Sequence, residues 1–202
     1  TIIGARPQFI KAAVLRKSFI ETEFNEILIH TGQHYDHLMS EIFFQELDIK
    51  KPDYFFKICS RSHAGMTSEI IHNTERVIIK EKPDFCLLYG DTNSTLAGAL
   101  TASKLDIPIC HVEAGLRSFD NKMPEEINRK ITDHLSQILF CPTKQSIQNL
   151  EKENIKENVI HVGDIMYDAV KLFKNHSTIS DLEKLLKFKI KKPIAILTIH
   201  RE

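Results

Sequence analysis

The sequence predicts an α/β fold, a Rossmann-like parallel sheet flanked by helices, and two features carry that prediction. Short β-rich runs alternate with longer stretches of helical period, the signature of repeated βα units. Most of these runs are apolar almost throughout, as strands are when helices cover both faces of their sheet. Strands are expected at residues 1–3, 26–30, 85–89, 107–112, 138–141, 159–162 and 194–199. Helices are expected between them at 7–19, 37–47, 66–81, 94–104, 125–135 and 144–153.

Each element has a local reason. The first strand, Thr1-Ile2-Ile3, turns at Gly4 into a helix whose Pro7 occupies the first turn, where proline is tolerated. The strand at 85–89 gives way to a helix that Ser94 can cap, and the strand at 138–141 to one that Thr143 can cap. After Val162-Gly163-Asp164 the pattern changes: a helical stretch at 167–174, a polar connector with Asn175, Ser177 and Ser180, a Lys-rich helix at 181–189, then a fresh strand from Pro193. A domain boundary is therefore expected within 164–175, dividing an amino-terminal domain, 1–166, from the start of a second, 167–202.

Composition narrows the function classes. The 202 residues are 42% hydrophobic, 27% charged and 8% aromatic, which excludes a disordered tail, a collagen-like repeat and a disulfide miniprotein. Lys plus Arg and Asp plus Glu each total 27, so no bulk field draws the chain to nucleic acid or anionic lipid. Apolar runs fall short of the roughly 18 residues a membrane helix needs. Cys59, Cys86, Cys110 and Cys141 form no Cys-x-x-Cys pair and read as reduced core residues of a cytoplasmic protein.

In open parallel sheets, ligands sit beyond the carboxyl ends of the strands, so polar groups at strand-to-helix junctions count most. Five junctions stand out. Gly4-Ala5-Arg6-Pro7-Gln8 with Lys11 places helix-start amides beside cations, a setting for phosphate; equally, Gly4 is a turn and Arg6 a surface cation. Gly90-Asp91-Thr92 follows the strand at 85–89, where Asp91 is either a site carboxylate or an Asx turn. His111-Val112-Glu113-Ala114-Gly115-Leu116-Arg117 ends the next strand. If these strands are neighbours, Glu113 lies beside Asp91 and the two carboxylates suit proton transfer; a Glu113–Arg117 salt bridge is the alternative. Pro124-Glu125-Glu126-Ile127-Asn128-Arg129 starts a helix with acids that favour its dipole, and Arg129 can neutralise an acid or reach phosphate. His200-Arg201-Glu202 ends the strand of the second domain. His30, His34 and His37 cluster around Gly32, but no helix aligns them, so a structural or substrate-contact role is expected rather than a metal site. Tyr54-Phe55-Phe56 reads as core or interface packing, and residues 187–192 as a solvated charged face.

Taken together these junctions resemble the non-hydrolysing UDP-N-acetylglucosamine 2-epimerase family. The matching words are Gly4-Ala5-Arg6-Pro7 with Lys11, Thr31-Gly32-Gln33-His34, Gly90-Asp91-Thr92, 111–117, 124–129 and His200-Arg201-Glu202, in the family's order over essentially the whole chain. The family threonine after the first glycine is Ala5 here and its usual glutamate is Gln8, a variant more like relatives that epimerise modified UDP sugars such as diacetamido uronic acids.

The resemblance implies a two-domain GT-B-type fold of facing Rossmann-like halves, of which this chain is the first half and the start of the second. It implies a UDP-sugar substrate inverted at C2 by elimination and readdition of UDP, a place in surface polysaccharide biosynthesis, a homodimer in the cytoplasm, and no nicotinamide, metal, nucleic-acid or membrane partner. By position, Asp91, Glu113, Glu125 and His200 are the implied catalytic residues. Arg6, Lys11, Gln33, His34 and Arg129 are the implied substrate-binding residues. A hydrolysing epimerase, a GT-B glycosyltransferase and a non-catalytic UDP-sugar binding module remain as other readings.

Overall fold

A computed structural model of the chain describes residues 1–33, 44, 47, 49–60, 62–174, 178–190 and 197. The expected helix at 37–47, the strand at 194–199, His34, His37 and His200 lie outside the described residues, except for residues 44, 47 and 197. Two compact units result, Thr1–Ala169 and Val170–Glu202.

The first unit is built on one parallel sheet of seven strands: β1 (Ile2–Ile3), β2 (Ile29–His30), β3 (Tyr54–Phe55), β4 (Cys86–Tyr89), β5 (Ile109–Val112), β6 (Ile138–Cys141) and β7 (Val159–His161). Their order is β3-β2-β1-β4-β5-β6-β7, so chain progression reverses between β1 and β4. That reversal opens a crevice at the carboxyl ends of the strands. Register sets Tyr89 of β4 beside Val112 of β5, which makes Gly90 and Glu113 the first residues beyond their strands.

Helices α1 (Arg6–Ile20), α2 (His63–Glu81), α3 (Asn93–Lys104), α4 (Pro124–Leu135), α5 (Lys144–Lys152) and α6 (Ile165–Phe173) follow the strands. Helices α2, α3 and α4 pack side by side. Ile2, Ile29, Leu88, Ile109, Val77, Ile78, Ala99 and Ala102 form the main core. Gly98 matters here, because a Cβ on it would come within 2.7 Å of Leu88 Cδ2 and 3.0 Å of Ile2 Cδ1; the bare backbone lets α3 settle onto β1 and β4. A smaller core of Ala114, Leu139, Cys141 and Leu150 joins β6 to α5.

Two expectations are corrected, the Ser94 cap and the burial of Cys59. Helix α3 is capped not by Ser94 but by Thr92, whose Oγ1 accepts from Thr95 N at 3.3 Å; Ser94 is already inside the first turn. The reading of Tyr54-Phe55-Phe56 as packing holds for Tyr54 and Phe56, which join the main core, while Tyr54 and Phe55 also form a short strand and the Tyr54 hydroxyl bonds Glu81. Cys86, Cys110 and Cys141 are buried, but Cys59 is exposed. Thr143 does cap α5, its Oγ1 accepting from Ser146 N at 3.1 Å. In the second unit, α7 (Ile179–Leu186) is followed by a turn in which Ile190 N donates to Glu183 Oε1 at 2.9 Å. No described helix is long and apolar enough to cross a membrane.

Candidate active site

The crevice is assembled from three loops, after β1, β4 and β5. Glu113 adopts a left-handed backbone, φ 70°, uncommon for a residue with a side chain. Its carboxylate is ion-paired with Lys11, which reaches across from α1, and both side chains are largely buried. Gly90 lies beneath this pair: its φ is 61°, and a Cβ there would stand 3.4 Å from both Lys11 Nζ and Glu113 Oε2.

One residue on, Asp91 is held by α4. Arg129 Nη2 donates to Asp91 Oδ2 at 2.5 Å, and Asn128 Nδ2 donates to the Asp91 carbonyl at 2.9 Å. Glu125 is half-buried one turn before Arg129, on the same face of α4. Its neighbour Glu126 turns away and is buried, with Oε2 accepting from Ser118 N at 2.8 Å and Oγ at 2.9 Å and Oε1 from Phe119 N at 3.2 Å. Burial pushes the Glu126 carboxyl up, but these donors and Arg129 outweigh it and hold it below its usual range.

Two glutamines close the helix starts that face the crevice. Gln8 Oε1 accepts from Gly4 N at 2.8 Å and Ala5 N at 3.0 Å, while its Nε2 donates to the Tyr89 carbonyl at 2.9 Å and Thr95 Oγ1 at 3.0 Å. Gln33 Oε1 accepts from Ser94 N at 3.1 Å and Ser94 Oγ at 2.7 Å. The amides proposed from sequence to suit a phosphate are therefore occupied by the chain's own side chains. Arg6, at the start of α1, is exposed.

The Glu113–Arg117 salt bridge offered as the alternative does not form. Arg117 turns to Asp133, donating from Nη1 at 2.7 Å, and to Glu153, donating from Nε at 2.7 Å and from Nη2 at 2.8 Å. Asp133 in turn faces His111 Nδ1 at 2.7 Å and accepts from Gly115 N at 3.1 Å. Burial pushes the Asp133 carboxyl up, but His111 and Arg117 overcome it and hold it below the ordinary carboxylate range. Sequence reasoning assigns no role to this network, although a histidine inside an otherwise apolar strand is a signal of it. His30 is buried, with ring centroids of Phe9 and Phe55 at 5.0 Å and 4.8 Å, and accepts from Gly32 N through Nδ1. Among the described residues no three His, Cys, Asp or Glu side chains converge as a metal site would require.

The arrangement thus offers two carboxylates on adjacent strand ends, each with its own cation. A profile of the UDP-N-acetylglucosamine 2-epimerase family matches residues 18–202. A UDP-N-acetylglucosamine 2-epimerase homolog of Methanococcus maripaludis is 53% identical over 100% of this chain and 56% of its own length. A UDP-2,3-diacetamido-2,3-dideoxy-D-glucuronate 2-epimerase of Pseudomonas aeruginosa is 56% identical over 88% of this chain and 51% of its own. The crystal structure of Methanocaldococcus jannaschii UDP-GlcNAc 2-epimerase in complex with UDP-GlcNAc and UDP superposes with a TM-score of 0.85 at 43% identity, covering 90% of this chain and 52% of that one. The chain spans about half the length of the relatives it matches. Motifs, fold and similarity agree: this chain belongs to the UDP-N-acetylglucosamine 2-epimerase family.

Proposed function

We propose that the full-length protein inverts C2 of a UDP-2-acetamido sugar without hydrolysing it, by eliminating and readding UDP. What supports this reading is that Asp91 and Glu113 follow the ends of neighbouring strands, each ion-paired with a separate cation.

A C2 proton beside an acetamido group has no carbonyl to delocalise the charge left by its removal. Loss of that proton to a base is feasible if the C1–oxygen bond breaks as UDP departs, leaving a glycal. UDP then re-forms the bond at C1 and an acid returns a proton to the opposite face of C2. The steps call for carboxylates on the ring and cations for the diphosphate. Asp91, Glu113 and Glu125 serve as the ring-side acids; Arg129 and Lys11 orient the first two; Arg6 meets phosphate. Gln33 lies at the crevice, and His34 and His200 complete the assignment, His200 assisting departing UDP. In this reading residues 1–166 are the amino-terminal domain and 167–202 begin the second, the enzyme works as a cytoplasmic homodimer, and its product feeds surface polysaccharide.

The test is turnover of UDP-N-acetylglucosamine and of the diacetamido glucuronate analogue by the full-length protein in heavy water. Deuterium at C2 with the UDP-sugar retained is expected, and Asp91→Asn or Glu113→Gln should lose at least ~100-fold in rate. Free sugar plus UDP, a requirement for an acceptor, or tight binding without exchange would each overturn the reading. Near-normal turnover in both variants would overturn the site assignment.

A further inference from the structure

His111 is fully buried in β5, and both ring nitrogens face acceptors. Nδ1 is 2.7 Å from Asp133 Oδ1, and Nε2 is 2.7 Å from the Gly90 carbonyl oxygen. A carbonyl only accepts, so Nε2 must carry a proton. The remaining question is which partner holds the proton between Nδ1 and Asp133. The other Asp133 oxygen already receives Gly115 N at 3.1 Å and the Arg117 guanidinium at 2.7 Å, an environment built for a carboxylate. That proton therefore sits on the ring.

The geometry points to His111 as a positioning residue: an imidazolium clamped between Asp133 and the Gly90 carbonyl, it fixes the Gly90–Asp91 peptide and so aims the Asp91 carboxylate. A clamp acts at Gly90 because a glycine at φ 61° has no side chain of its own to restrict its peptide plane. The surrounding charges balance. Beside the ring stand Asp133 of α4 and, through it, Arg117, which is paired by Glu153, the residue just after α5; His134 Nε2 lies 3.1 Å from Glu153 on the outside. Above Gly90 lie Lys11 and Glu113, and Arg129 holds Asp91. A neutral ring would set a lone pair against one of its two acceptors, releasing either the Gly90 peptide or Asp133.

The catalytic part of this inference rests on the proposed function; the charge on the ring does not. In full-length protein labelled with ¹⁵N-histidine, both His111 ring nitrogens should resonate as protonated at neutral pH. A singly protonated ring at neutral pH overturns the inference. His111→Gln keeps a donor at only one end; it should lose on the order of 100-fold in kcat, with KM within about threefold. Unchanged kcat, or a loss confined to KM, overturns the positioning role. If the wild-type protein exchanges no C2 proton, the proposed function fails, while the ring spectrum still decides whether a charged histidine holds Gly90.

Discussion

Gln8 does at the scale of one side chain what a longer loop would otherwise have to do. Its amide makes four hydrogen bonds, two to the backbone after β1 and two to the β4–α3 junction, and it is almost fully buried. Gln8→Leu keeps the volume and strips all four, leaving buried amides and a carbonyl with reduced pairing. It should cost at least ~2 kcal/mol, read as a lower urea midpoint, because each stranded buried group loses about 1–3 kcal/mol. Sequence reasoning could find Gln8 as a departure from a family pattern but not its partners, because Tyr89 and Thr95 are remote in sequence and meet it only through the sheet order. The same holds for the pair of Lys11 with Glu113. Glu113 and Asp91 themselves were legible, since acids directly after apolar strands must lie at the crevice.

Among the elements, the strands of the first unit were the most legible part of the fold, because helices on both faces demand continuous apolar runs and β4, β5, β6 and β7 all lie inside the expected ranges. Strand β3 is not legible in the same way: its residues fall in Tyr54-Phe55-Phe56, which reads only as packing. Helix starts were legible where a hydroxyl or proline stands alone, and ambiguous at Thr92-Asn93-Ser94, where three capping residues adjoin and only the backbone decides. Thr143 is the clean case. Thr143→Ala removes the acceptor for Ser146 N and should destabilise by about 1 kcal/mol in denaturant unfolding, without altering the crevice.

At the scale of the molecule, Arg117 and Asp133 bind the β5 loop, α4 and α5 into one buried charge network. Asp133 has its proton affinity depressed by folding, so its contribution is present above the carboxylate range of an unfolded chain and is lost as pH falls through the lower folded value. Asp133→Asn should therefore cost about 3 kcal/mol at neutral pH. The difference from wild type should narrow as urea unfolding is repeated toward pH ~3, where the unfolded carboxylate is protonated. The described sheet ends at a two-residue strand on one side and a three-residue strand on the other. Around the shorter one, Lys50, Lys51, Asp53 and Lys57 crowd the flanks. At the β3 edge, so short a stretch of unpaired main chain, flanked by these charges, makes a poor template for another strand to pair with.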